Sequence, residues 1–188
     1  LGSTHMKIRI NNVRLAFPAL FEPKAVNAGD KPAFSASLII PKNHPQIKEI
    51  EAALVKTADE KWGVKGPTML KTLKAGDKTA LHDGDGKAQY QGFEGNFYIS
   101  ARNPVRPTCL DADKTPLAES DGRLYAGAYV NAVLELWGQD NAYGKRLNAT
   151  LLGVQFYRDG DAFSGGGAAG DDDFDDVTSG ADATGDFM

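Results

Sequence analysis

The chain reads as a mainly β domain with one principal helix, an α+β arrangement closing into a partly open five-stranded barrel of the OB type, with long loop insertions. Three observations predict it. Five runs alternate apolar and polar residues with the two-residue period of half-buried strands, one run repeats at three- and four-residue steps, and glycine and proline punctuate the connections.

The first strand is expected over residues 7–15, where Ile8 and Ile10 face one side and Lys7, Arg9 and Asn11 the other. Pro18, Pro23 and Gly29-Asp30 predict a loop after it. Residues 33–40 form the second strand, with Phe34, Ala36, Leu38 and Ile40 alternating with Ser35 and Ser37, and Pro41 ends it. Asn43 serves as the expected N-cap of an amphipathic helix marked by Ile47, Ile50, Leu54, Val55, Ala58 and Trp62, with Gly63 and Gly66-Pro67 as its stop. Residues 65–95 lose periodicity and gather glycine and lysine, which predicts a long loop carrying Lys65, Lys71, Lys74, Lys78 and Lys87, then Tyr90 and Phe93. A strand returns over residues 96–102, Phe97, Ile99 and Ala101 facing the core and Tyr98, Ser100 and Arg102 facing away. Residues 126–137 and 146–158 supply the last two strands, and the turn between them presents Tyr143 beside Lys145 and Arg146.

Charge divides the chain. It holds 21 Lys+Arg against 25 Asp+Glu, but nine of the acids are aspartates in residues 159–188, which contain no lysine or arginine. The first 158 residues therefore carry 21 positive charges against 16 negative ones, a net of +5 under an overall pI of 5.4. The glycine- and aspartate-rich end has too little apolar surface to offset the entropy of ordering, so residues 159–188 are expected to be a disordered acidic tail. Residues 1–5 read as an expression-tag remnant, leaving one domain over residues 6–158. A single cysteine, Cys109, fits a reducing compartment, and with no membrane-length apolar run or signal peptide the expectation is a soluble intracellular protein.

Interleaved cations and aromatics suit single-stranded nucleic acid, whose phosphates pair with lysine and arginine while its bases stack on aromatic faces. The candidates are Lys7, Arg9, Lys65, Lys71, Lys74, Lys78, Lys87, Tyr90, Phe93, Tyr98, Arg102, Tyr143, Lys145 and Arg146. Against this stands the ordinary reading that aromatics in β proteins pack in cores or across strands and exposed lysines confer solubility. In the tail, Asp171, Asp172, Asp173, Asp175, Asp176 and Asp186 imitate a phosphate chain and can compete for a cationic groove, while Phe187 offers an anchor to a partner pocket. No catalytic residue, metal site or cofactor is expected. His44 and His82 lack zinc-type spacing, Asp83-Gly84-Asp85-Gly86 lacks the remaining ligands of a calcium loop and reads as a turn, and no phosphate-binding glycine loop is present.

Lys7-Ile8-Arg9-Ile10-Asn11-Asn12-Val13-Arg14-Leu15, Ile39-Ile40-Pro41-Lys42, Gly127-Ala128-Tyr129-Val130-Asn131-Ala132, Val154-Gln155-Phe156-Tyr157-Arg158-Asp159-Gly160 and the acidic end occur in an order that resembles the single-stranded-DNA-binding proteins of tailed bacteriophages. The likeness runs from Met6 through essentially the whole chain. It implies an OB-fold body that coats single-stranded DNA during phage replication or recombination in the cytoplasm of an infected bacterium. It also implies an acidic terminus that tunes affinity and recruits phage or host replication proteins. The terminal Gly185-Asp186-Phe187-Met188 departs from the proline-containing, phenylalanine-ended tails of the bacterial proteins with this role, so the same host docking pocket is not implied. Two other classes stay open on the residues alone: an interaction module or DNA mimic whose acidic tail binds a basic host protein, and a hydrolase whose carboxylates assemble a metal site only in the fold.

Overall fold

Alternating burial along the strands builds the barrel expected from the two-residue period. The computed structural model describes residues 5–25 and 27–163. Seven strands and two helices follow in order: β1 (His5–Lys24), β2 (Ala33–Pro41), α1 (Ile47–Trp62), α2 (Gly66–Ala75), β3 (Leu81–Asp83), β4 (Asn96–Asn103), β5 (Thr108–Leu110), β6 (Tyr129–Asn141) and β7 (Gly144–Arg158). The sheet order is β3-β4-β2-β1-β6-β7-β5, and a parallel pairing of β4 with β7 joins its two sides. Five strands thus close as β1-β2-β4-β7-β6, with β3 and β5 as short additions, which bears out the expected barrel. The seam is narrow. Among the described residues, Arg102 and Thr150 alone pair across it, and the Asn103 Nδ2 donates to the Leu151 carbonyl at 2.9 Å beside them.

Inward positions are apolar: Ile10, Val13 and Leu15 on β1, Leu38 and Ile40 on β2, Ile99 on β4, and Val130, Ala132, Leu134 and Leu136 on β6. On β7 the buried set changes from Leu147, Ala149 and Leu151 to Val154 and Phe156, because a bulge between the pairs Val133–Gly153 and Leu134–Leu151 shifts the alternation by one residue. Helix α1 covers the barrel with Ile50, Ala53, Leu54, Thr57 and Ala58, while Val55 is exposed, contrary to expectation.

Three boundaries differ from the sequence reading. Gln46, rather than Asn43, stands at the N-cap of α1; its amide binds β1 instead, accepting from the Asn11 N–H at 2.7 Å and donating to the Arg9 carbonyl at 2.8 Å. His44 belongs to this junction, donating through Nε2 to the Asn11 carbonyl and accepting at Nδ1 from the Gln46 N–H. The expected loop from residue 65 opens instead with α2. Pro67 occupies the first turn, where its missing N–H costs nothing, and Leu70 and Leu73 bury one side while Lys71 and Lys74 lie on the other. Gly66 permits the close approach of the two helices, since a Cβ there would stand 2.8 Å from the Asp59 Cα.

The third difference shapes the site. β1 runs on through Pro18 and Pro23, its register breaking between Ile10 and Val13 and again between Ala16 and Ala19. Asn12 (φ 55°) and Phe17 (φ 48°) sit at these breaks in left-handed conformations. Asparagine tolerates that region; for a bulky phenylalanine it is strained.

Candidate nucleic-acid interface

The outer faces of β2 and β4 carry three cross-strand pairs: Ile39 with Tyr98, Ser37 with Ser100, and Ser35 with Arg102. The serine hydroxyls meet at 3.0 Å, leaving a flat polar centre. At the Ile39–Tyr98 end, the excursion between β3 and β4 folds back over the sheet and makes a small second core of Ala16, Ile39, Phe93 and Tyr98. Phe93 is 1% exposed and Tyr98 6%, so neither offers a free face for stacking, contrary to the sequence reading. The alternation argument correctly turned Tyr98 away from the barrel interior but could not show that residues 84–95 cover it. Burial raises the Tyr98 phenol above its usual range, and His82 stacks on its ring at 5.0 Å.

These buried rings support exposed ones. Phe93 lies 5.0 Å from Tyr98, 5.9 Å from Phe17 and 6.0 Å from Tyr90, and Phe17 meets Tyr90 edge to face at 5.1 Å. Phe17 is 44% exposed and Tyr90 41%. The left-handed backbone at the β1 bulge accompanies this outward presentation of Phe17. Both rings line a cavity of about 620 Å³ that also includes Lys24, Ser35 and Phe163. An adjoining hollow of about 210 Å³ shares Phe17, Lys24 and Ser35 and continues past Ser37 and Ser100 to Arg102. Aromatic faces therefore occupy one end of a continuous groove, and Lys24 and Arg102 flank its polar floor. Phe17, Lys24 and Phe163 were missed by the sequence reading; the Phe17-Pro18 step and a lone aromatic among glycine and aspartate were their only local signals.

The turn that shapes this end is held by carboxylates. Asp83 accepts from the Asp85 N–H at 2.9 Å, Asp85 accepts from the Gly95 N–H at 2.7 Å, and Lys42 bridges both side chains at 3.1 and 3.4 Å. The Asp85 amide and then the Lys42 ammonium hold the Asp83 carboxyl below its usual range. This is the turn expected of Asp83-Gly84-Asp85-Gly86. A Cβ on Gly84 would run into the carbonyls of Phe93 and Asn96, so the turn packs directly beneath the aromatic cluster.

The remaining candidates fall elsewhere. Lys7 and Arg9 border a separate hollow of about 340 Å³ with Lys114, floored by Leu110, Val133 and Leu152 and, among the described residues, lined by no aromatic one. Lys65, Lys78 and Lys145 gather between α2 and the β6–β7 turn. Tyr143 stands at the tip of that turn, 93% exposed, and Arg146 lies on β7 opposite Gln139. Lys74 pairs with Glu51 at 2.9 Å, Lys71 is exposed on α2, and the Lys87 ammonium lies 5.6 Å from the Tyr98 ring centre. Asp171, Asp172, Asp173, Asp175, Asp176, Asp186 and Phe187 lie outside the described residues.

After β7 the chain turns back across the barrel. Tyr125 Oη donates to Asp159 Oδ1 at 2.7 Å, Arg14 Nη2 donates to the Asp161 carbonyl at 2.6 Å, and the Phe163 N–H donates to the Ala126 carbonyl at 2.9 Å. The Arg14 guanidinium lies 4.4 Å from the Phe163 ring centre and 5.3 Å from that of Tyr129.

A family described as "Enterobacter phage Enc34, ssDNA-binding protein" matches residues 6–188. The chain belongs to this family. Besides the Enc34 match, the chain is similar to "Putative protein p50" of Acyrthosiphon pisum secondary endosymbiont phage 1, 46% identical over 176 residues, which cover 92% of this chain and 95% of that one. The single-stranded DNA-binding protein from bacteriophage Enc34, solved in complex with ssDNA, superposes with a TM-score of 0.70 at 30% identity, over 84% of this chain and 89% of that chain. Gp2.5, a single-stranded DNA binding protein encoded by bacteriophage T7, reaches a TM-score of 0.59 at 12% identity over 92% and 96% of the two chains, a likeness of fold alone. The resemblance drawn from the sequence motifs is thus borne out for the Enc34 family.

Proposed function

We propose that this chain is a non-catalytic single-stranded-DNA-binding protein that holds its ligand in the groove on the outer faces of β2 and β4. One observation carries the reading. Phe17 and Tyr90, each partly exposed and braced from beneath by buried Phe93, open into the same groove as Lys24 and Arg102. Stacking on such rings accepts any base, and the two cations suit the phosphates between stacked bases, so binding is largely independent of sequence. Membership of the Enc34 family supports the ligand class. So does the use, common among OB folds, of the second and third barrel strands, here β2 and β4, for oligonucleotides.

In the same reading, Asp171, Asp172, Asp173, Asp175, Asp176 and Asp186 compete with DNA for the groove, and Phe187 presents a hydrophobic end to replication partners. The setting is phage DNA replication or recombination in the cytoplasm of an infected bacterium.

Fluorescence-anisotropy titration of a labelled oligothymidine at several salt concentrations tests this reading. The full chain is expected to bind with strong salt dependence, and a chain ending at Phe163, which keeps every described residue of the groove, to bind more tightly. Absence of binding by both forms would overturn the proposal.

A further inference from the structure

Residues 159–163 do more than lead away from the barrel. They are tied to it by Tyr125, Arg14 and the Ala126 carbonyl, and they end with the Phe163 ring in the wall of the groove that holds Phe17 and Tyr90. The fit is close. A Cβ on Gly92 would stand 2.8 Å from the Phe163 ring, and one on Gly127 would run into the Asp161 carbonyl, so both glycines leave the space this segment occupies. Gly160 is similarly pressed against the Tyr129 ring, and its N–H donates to Tyr125 Oη at 3.1 Å.

The segment also engages a cation at this end of the groove. Arg14 spends Nε on the Gly127 carbonyl at 3.0 Å and Nη2 on the Asp161 carbonyl, while its plane rests against Phe163. An aromatic ring and a backbone carbonyl are neutral stand-ins for what a nucleotide offers at such a site, a base face and a phosphate oxygen.

We infer that residues 159–163 form a displaceable strap: Phe163 occupies a base-stacking position and the Asp161 carbonyl occupies Arg14, and loading of single-stranded DNA removes the strap and transfers Arg14 to a phosphate. This rests on the reading of the groove as the DNA site. It is distinct from the competition ascribed to the aspartates further on, because it acts through the Phe163 ring and the Asp161 backbone carbonyl, in a segment hydrogen-bonded to the barrel.

Hydrogen exchange on the full chain, with and without an oligothymidine, provides the test. The amides of Gly160 and Phe163 exchange faster in the complex if the strap leaves; slower or unchanged exchange there overturns the proposal. In parallel, Phe163→Ala in the full chain tightens oligothymidine binding by about three- to tenfold, the scale of removing one ring and its cation–π partner, and Phe163→Leu gives a smaller gain. Weaker binding by Phe163→Ala would make Phe163 a stacking platform, and unchanged binding would make it a structural peg; either result overturns the strap. Tyr90→Ala separates the two levels of argument. If Tyr90→Ala weakens binding while the Phe163 variants and the exchange do not respond as stated, only the strap fails; if Tyr90→Ala has no effect, the groove itself has been misplaced.

Discussion

Two of the cation-lined hollows lie toward opposite ends of β1, and they differ in what lies beneath the charge. Around Lys7, Arg9 and Lys114 the floor is aliphatic, formed by Leu110, Val133 and Leu152. Around Lys24 and Arg102 the floor is hydroxyl-bearing and ends in Phe17 and Tyr90. Positive charge alone attracts any polyanion and is weakened by salt, whereas an aromatic face adds an interaction that only an unpaired base can use. A cation pattern read along the chain cannot rank the two hollows, because the distinction resides in the neighbouring strands.

The largest expected effect comes from removing the rings. Phe17→Ala together with Tyr90→Ala should weaken oligothymidine binding by roughly 2 kcal/mol or more, given about 1–3 kcal/mol per stacked base, while Lys7→Ala with Arg9→Ala should change it far less. Anisotropy titrations of both double variants would erase the contrast if the two variants weakened binding equally. Next is Gly84→Ala, which forces a methyl group against the carbonyls of Phe93 and Asn96. A stability loss of about 1–3 kcal/mol is expected from such overpacking, visible as a lower denaturant midpoint.

Smaller still, Lys24→Ala or Arg102→Ala should lower affinity severalfold at low salt and flatten the slope of log K against log salt by about 0.7 for each phosphate left without its cation. An unchanged slope would remove that cation from the DNA track. The smallest effect concerns the β5 side of the barrel. Burial pushes the Cys109 thiol up to about 11, well above its value in the unfolded chain. The folded state therefore retains a proton that the unfolded state loses, and this contribution to stability is present below about pH 9 and falls away as pH rises through 11. Cys109→Ala should flatten the alkaline fall in denaturation midpoint across that window.

The barrel was legible because its strands keep a two-residue period over long runs, most clearly Val130, Ala132, Leu134 and Leu136. Helix α2 was obscured by lysines and by Gly66-Pro67, which looks like a terminator when α1 is considered alone and proves to be the start of the next helix. The site was legible in part. Of the expected site residues, Tyr90 and Arg102 line the groove, whereas Phe93 and Tyr98 are buried because a non-local excursion covers the outer sheet face. Phe17 depends on a bulge in β1, and Phe163 on a return of the chain across the barrel. Neither arrangement has a local periodic signature.

The seam between β4 and β7 has a mechanical consequence. Everywhere else the barrel wall is stitched by antiparallel ladders of several residue pairs, but here, among the described residues, one backbone pair and the Asn103 amide clasp span the join. Parting the wall along this line sacrifices few hydrogen bonds, so the cylinder is weakest in hoop tension beside Arg102. The cationic end of the groove thus adjoins the wall's most compliant line, while the aromatic end rests on the separately packed cluster around Phe93. If the groove holds DNA as proposed, the bound strand lies between a lip joined by few hydrogen bonds and a lip backed by a packed aromatic cluster.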